Sequence, residues 1–203
     1  VKILPIKNEE TYPWLLQKHY AKRIPQIMFA FGLYEENQLV GVVTYGIPAS
    51  PALCMGICGK EYSDKVLELN RVCLLNNNKN QASFLVANSI KLLPKPTIVV
   101  SYADSGKGHV GYVYQATNFL FTGTTKERTD MSSGDGKHSR HATDPSIRQF
   151  RSAKHRYIYF HGNKTQKKAM GKLLKYGIKP YPKGDSQKYD SGTLVETQGI
   201  LFG

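Results

Sequence analysis

Apolar and polar positions alternate along this chain in short blocks, most of them the length of a strand. Residues 1–6 read as a short strand. Thr11 is placed to cap a helix reaching about residue 23, with Pro13 tolerated in its first turn and Pro25 ending it. Residues 27–34 and 39–45 are apolar runs joined by Glu35-Glu36-Asn37-Gln38, which predicts a hairpin, and the segment from Ile47 to Pro51 then breaks the sheet. A loop containing Gly56, Gly59 and Lys60 leads into a strand over 66–74. A polar turn over 76–80 precedes a helix over 81–93, whose apolar stripe includes Phe84, Leu85 and Leu92 and which Pro94 and Pro96 end. Residues 97–102 form a β-branched strand suited to burial, 111–118 a short helix and 119–125 a further strand.

The pattern then fades. Residues 126–154 are polar and rich in Gly, Ser and His, and a loop of that length in a compact domain is functional or mobile. Alternation returns over 155–161 as a strand, 165–175 reads as a basic helix, and the tail from 177 has little periodicity. This order predicts one α/β domain over residues 1–203, with a mixed central sheet flanked by helices. Strands 66–74 and 97–102 should pair in parallel across the intervening helix. A long basic insert at about 126–154 precedes the last core strand, and 177–203 is an irregular tail.

Composition adds bounds. A chain of 203 residues with 40% apolar content can bury a core without disulfides. Cys54, Cys58 and Cys73 are an odd number, and no second Cys or His pair follows Cys54-Met-Gly-Ile-Cys58 at zinc-site distance, so reduced thiols are expected. No stretch approaches the roughly 20 apolar residues that span a bilayer, and the first residues lack a signal-peptide pattern. A cytoplasmic protein with no membrane partner is expected.

Charge points to a partner. With 28 Lys+Arg against 15 Asp+Glu the formal net charge is +13, which favours a polyanion, nucleic acid ahead of membrane. The excess is concentrated between residues 137 and 179, where Lys137, Arg140, Arg148, Arg151, Lys154 and Arg156 are candidate phosphate contacts; a solvated basic face is the plainer alternative.

Candidate chemistry gathers between residues 97 and 125. Ser101-Tyr102-Ala103-Asp104 ends a buried strand and is followed by Gly106, Gly108, His109 and Gly111, and ligands commonly bind at the carboxyl ends of such strands. Asp104 and His109 are a candidate base pair or metal-ligand pair, with turn capping the equal alternative for Asp104. Arg71 interrupts an apolar strand and requires an anionic partner. His19 and Tyr20 sit at the end of the first helix.

The element order, together with Val113-Tyr114-Gln115-Ala116-Thr117-Asn118-Phe119, resembles the GCN5-related N-acetyltransferase fold and its LYxKxGF segment. That resemblance implies that Tyr114 protonates a leaving thiolate. It also implies that a loop at the long helix's N-terminus binds the donor's pyrophosphate through backbone N–H groups. Here the loop is Asn77 to Ala82, with Asn80 and Ala82 where the family prefers small residues, usually glycine, and Asn80, Gln81, Ala82 and Ser83 as the candidate donor contacts; asparagine tolerates positive φ.

Taken in order, His19-Tyr20, Glu68-Leu69-Asn70-Arg71, Ser101 to Asp104 and Gly111 to Asn118 resemble the phage Mu Mom-like family of DNA-modification proteins, over about residues 14–190. The resemblance implies an enzyme that places an acetamido- or glycinamide-like group on adenine N6 in double-stranded DNA and protects it from host restriction. It carries functional roles onto His19, Tyr20, Arg71, Asp104 and Tyr114, and onto a serine of the donor helix, Ser83 or Ser89. It also implies iron, for which His19, Asp104 and His109 are the candidate ligands, and an acyl donor such as acetyl-CoA or a glycyl carrier. Tyr20, Tyr102 and Tyr112 are candidate walls for a flipped base. Two other readings stay open: an ordinary N-acetyltransferase acting on a protein or small amine, and a non-catalytic DNA-binding protein on the same scaffold.

Overall fold

The alternating run at residues 29–46 forms the expected hairpin. β2 (Phe29–Glu35) and β3 (Gln38–Gly46) meet at Glu36 and Asn37, whose φ values of 47° and 67° suit the twist of a two-residue hairpin turn. The computed structural model describes residues 1–132, 143, 144 and 146–185. β1 (Lys2–Pro5) pairs antiparallel with β2, and β4 (Val66–Leu74) with β3. β5 (Thr97–Asp104) lies parallel to β4, as its crossover through α3 (Gln81–Lys91) requires. β6 (Leu120–Thr124) forms the far edge, and β9 (Lys154–His161) inserts antiparallel between β5 and β6. The resulting order is β1-β2-β3-β4-β5-β9-β6, the mixed α/β sheet that the sequence predicts.

Both faces of this sheet are covered. Leu85, Val86 and Ile90 of α3 pack with Val43, Tyr45, Leu69, Val99 and Tyr157 on one face. On the other, Cys54, Ile57 and Cys58 of α2 (Pro51–Cys58) and Met170 of α5 (Lys164–Leu173) meet Val66, Ile98, Val100 and Ile158. Trp14 and Leu15 cover Val42 and Cys73. The three cysteines are buried thiols within these layers.

Several local expectations are corrected. The first helix is shorter than its pattern suggests: α1 (Asn8–Pro13) continues only as a π-helical turn, Trp14–Lys18, after which His19 turns extended. Pro51 starts a helix rather than closing a loop, because it occupies a first-turn position while Ser50 Oγ accepts the Leu53 N–H at 3.2 Å. The buried stripe of α3 is Gln81, Leu85, Val86, Ser89 and Ile90, and Phe84 and Leu92 face outward. The polar stretch after residue 125 contains a two-stranded ribbon, β7 (Arg128–Met131) with β8 (Arg148–Arg151). The first part of the tail is anchored: Lys179 N–H donates to Phe121 O at 2.9 Å, and Tyr181 OH to Phe119 O at 2.7 Å.

The turn into α4 (Tyr112–Ala116) is tightly specified. Gly111 has φ 78°, and a Cβ there would come within 2.7 Å of Tyr157 Cζ. The Tyr157 hydroxyl is fixed in turn, donating to Val110 O and accepting from Gln115 Nε2 at 3.2 Å. Gly111→Ala is therefore expected to lose about 2–4 kcal/mol from the left-handed backbone and the ring clash together. The measurement is thermal unfolding, with a fall in Tm on the order of 5–15 °C.

Candidate active site

Only Val66–Glu68 of β4 pairs with Ile98–Val100 of β5. Past that point the ladder stops, and Ser101 Oγ bridges the gap by donating to Leu69 O at 2.8 Å. A cavity of about 820 Å³ opens there. Its walls are His19 and Tyr20 after the π turn, Glu68 and Arg71 of β4, Asn80, Ala82 and Ser83 at the start of α3, Tyr102 of β5, the stretch His109 to Tyr114, Lys154 of β9, and Gly184 and Asp185 of the returning tail.

One part of the wall is built for an anion. Asn80 adopts φ 63°, its carbonyl accepts from Phe84 N–H at 2.9 Å and Ser83 Oγ at 3.0 Å, and no side chain caps α3. An uncapped helix N-terminus carries partial positive charge. Two cations line the same cavity. Among the described residues Lys18 Nζ and Arg71 Nε are enclosed without a hydrogen-bond partner. Lys18 lies 5.5 Å from the Trp14 ring, and Arg71 Nη1 donates to Asn70 O at 2.6 Å. Burial lowers the pKa of both. Enclosed cations without a counter-charge are costly, a cost that an anionic ligand relieves.

The other part is aromatic and titratable. His19 Nδ1 accepts the Ala21 N–H at 3.1 Å, so the neutral ring carries its proton on Nε2, and the ring stacks on Tyr20 at 4.4 Å. Burial first, then the charges of Arg71 and His109, push its pKa down to about 3. Tyr20 meets His109 edge-on at 6.2 Å. Tyr114 is wedged between Phe119 at 5.4 Å and Tyr157 at 5.3 Å, with its hydroxyl on Ser101, and burial pushes it up to about 12. Burial also raises Glu68, against the pull of Arg71, Lys154 and Arg23.

The expected site residues divide accordingly. His19, Tyr20, Arg71, Tyr114, His109, Asn80, Ala82 and Ser83 reach the cavity, as do Tyr102 and Tyr112. Gln81 turns away, its Nε2 donating to Glu35 Oε1 at 2.9 Å. Ser89 is buried beneath α3, bonded to the Tyr45 hydroxyl at 2.7 Å, so of the two serines only Ser83 lines the cavity. Asp104 caps the turn that follows it: Oδ1 accepts from Gly106 N–H at 3.0 Å and from the Ser152 hydroxyl. Burial raises the pKa of Tyr20 and the charge of Asp104 adds to this, whereas at His109 burial lowers the pKa against the opposing pull of Asp104. Of the basic candidates, Lys154 reaches the cavity wall and Arg148 is exposed. Arg151 lies 3.6 Å from Asp130. Arg156 donates to Thr122 Oγ1 at 2.9 Å and lies 3.5 Å over the Tyr176 ring. Lys137 and Arg140 lie outside the described residues.

Iron does not fit the expected set. Among the described residues, no three His, Cys, Asp or Glu side chains gather into a group able to hold a metal ion. Asp104 Oδ1 and His19 Nδ1 are already committed as acceptors to protein donors.

Two wall residues went unremarked as site candidates in the sequence. Glu68 was visible by the reasoning that singled out Arg71, a charge inside an apolar strand. Lys18 carried no signal, because only the π turn brings its ammonium inside.

A sheet whose parallel pair parts, with a helix N-terminus at the opening and a tyrosine on the short helix beyond, is the arrangement expected of a GCN5-related N-acetyltransferase fold. Residues 1–183 match the profile of the Mom protein family, and the chain belongs to it. It is 29% identical over 189 residues to the methylcarbamoylase Mom of Escherichia phage Mu, a match covering 82% of this chain and 77% of that protein. Among solved structures it is similar to an N-acetyltransferase from Staphylococcus aureus Mu50, with TM-score 0.48, 15% identity and 78% and 97% of the two chains covered. It is also similar to a ribosomal-protein-alanine N-acetyltransferase from Brucella melitensis, with TM-score 0.49, 13% identity and 79% and 100% covered. Among the described residues no helix is long and apolar enough to cross a membrane.

The depressed His19 has a pH signature. The unfolded chain takes this proton near 6.5 and the folded chain near 3, so the unfolded state binds more protons between these values. Stability is expected to fall as pH drops through that window, and His19→Asn should flatten this component of a pH series of denaturant melts. Imidazole ¹⁵N shifts should report a neutral ring protonated at Nε2 down to about pH 4.

Proposed function

We propose that this chain modifies DNA, transferring an acyl-derived acetamido- or glycinamide-like group to the exocyclic N6 of adenine in double-stranded DNA. One observation carries the reading: a single cavity joins an anion-binding wall to a titratable, aromatic wall through the gap between β4 and β5. Membership of a family that includes a phage methylcarbamoylase supports it.

The donor, such as acetyl-CoA or a glycyl carrier, supplies an activated carbon when bound. Lys18, Arg71 and the start of α3 would hold its anionic part. An adenine amino group is a poor nucleophile, because its lone pair is delocalised into the ring, so it must lose a proton as it attacks. Glu68 takes that role: it lines the cavity, and burial raises its proton affinity. Asp104 and His19 are the bases expected from the sequence; Asp104 holds the turn that carries His109, and His19 is kept neutral. Tyr114 stays protonated at neutral pH and so can donate to the leaving group. A target adenine would have to leave the helix stack to reach this depth, and Tyr20, Tyr102 and Tyr112 offer it stacking faces.

The test is mass spectrometry of nucleosides from plasmid DNA of cells that express the chain. A modified deoxyadenosine is expected. Tyr114→Phe and Glu68→Gln should each reduce its yield by about 10²–10⁴-fold while the protein stays folded. Unmodified DNA from well-folded protein overturns the reading, and acetylated protein in its place would favour an ordinary N-acetyltransferase.

A further inference from the structure

The ribbon formed by β7 and β8 has two unlike faces. Arg128, Asp130 and Arg151 share one, where Arg128 Nε and Arg151 Nε lie 3.0 Å and 3.6 Å from Asp130. The acid is thus neutralised, and its side chain is only 25% exposed. Thr129, Met131, Arg148 and Phe150 share the other, through the pairs Thr129 with Phe150 and Met131 with Arg148. All four are exposed, Phe150 at 62% and Met131 at 38%. An aromatic and a thioether are held outward here beside an arginine, and among the described residues of the ribbon no acid shares that face.

The root of the ribbon is fastened to the cavity rim. Ser152 donates to Asp104, Ser105 N–H donates to Ala153 O at 3.1 Å, and Lys154 N–H donates to Thr125 Oγ1 at 3.0 Å. Lys154 is itself a wall residue. Phe150 lies four residues before it, about 13 Å at full extension. A two-stranded ribbon can lie in a groove of a DNA duplex, and in proteins that bind the minor groove apolar side chains of this kind part stacked bases.

We propose that the Phe150 face of this ribbon enters the duplex and that Phe150, backed by Met131, wedges into the base stack beside the adenine being extracted. The occupant is duplex DNA rather than a second copy of this chain, because the face joins its apolar pair to Arg148 in a protein of net charge +13. This inference rests on the DNA reading above and assigns how its substrate is opened. Asp104 acts here as a positioning residue, joining the wedge to the turn that carries His109.

Permanganate footprinting of plasmid DNA tests the wedge without a donor or a known target sequence, since thymines facing an extracted adenine become reactive. Wild-type protein should produce hyper-reactive thymines. Phe150→Ala should lose them while binding DNA within about tenfold of wild type, because the phosphate contacts remain. Phe150→Leu, which keeps an apolar wedge, should restore most of the signal. In cells, Phe150→Ala should lower deoxyadenosine modification by on the order of 10- to 100-fold. Bound wild-type protein without reactive thymines, or a Phe150→Ala variant as reactive as wild type, overturns the wedge. So does loss of self-association in Phe150→Ala with DNA opening intact, which would assign the face to a second copy. If thymines open but no nucleoside is modified, the transfer reading fails and the wedge stands; if modification survives Phe150→Ala at the wild-type level, the reverse holds.

Discussion

Two parallel strands that begin side by side would ordinarily keep exchanging backbone hydrogen bonds. β4 and β5 stop after Val66–Glu68 meets Ile98–Val100, and the candidate site opens at that interruption. Backbone groups left behind in a buried sheet must find partners, and the Ser101 hydroxyl supplies one at Leu69 O. The same serine holds the Tyr114 hydroxyl, so one side chain both stabilises the gap and aims the phenol into it. The sheet beyond is kept whole by β9, paired along the full length of β5.

The electrostatics of the opening are unbalanced by design of the fold. Lys18 and Arg71 are enclosed with donors unmatched, the N-terminus of α3 adds its dipole, and His19 is kept neutral. Against them stands Glu68, itself raised toward protonation. A site with this surplus of positive potential holds an anion more readily than it holds itself together, since uncompensated buried charge opposes folding. Binding of an anionic donor is thereby coupled to stability.

Much of this was legible beforehand, and the reasons differ residue by residue. The hairpin at 36–37, the β4–α3–β5 crossover and the α4 segment follow from periodicity and turn chemistry, which are local. Arg71 stood out because a charge breaks its apolar strand, and Tyr114 through the resemblance of its segment to LYxKxGF. The π turn did not show, because nothing local distinguishes it from an α-helix, yet it decides that Lys18 points inward and His19 turns extended. For Asp104 the sequence left chemistry and turn capping open as equals; the Gly106 contact is the cap, while Ser152, a partner 48 residues away, is one that no local pattern announces. Ser89 and Gln81 were misjudged by rotation: the buried stripe of α3 runs through them and not through Phe84.

The position of β9 carries a consequence for how the protein comes into being. This strand lies between β5 and β6 in space but follows both in the chain, after the ribbon. During synthesis from the N-terminus, β5 therefore waits with one edge unpaired until residues 154–161 emerge, and Tyr157 reaches the α4 turn only then. Pairings so distant in sequence form late and slowly. A partly made chain already has Glu68, Arg71 and Tyr114, but the Tyr157 ring against which Tyr114 packs arrives only with this late strand.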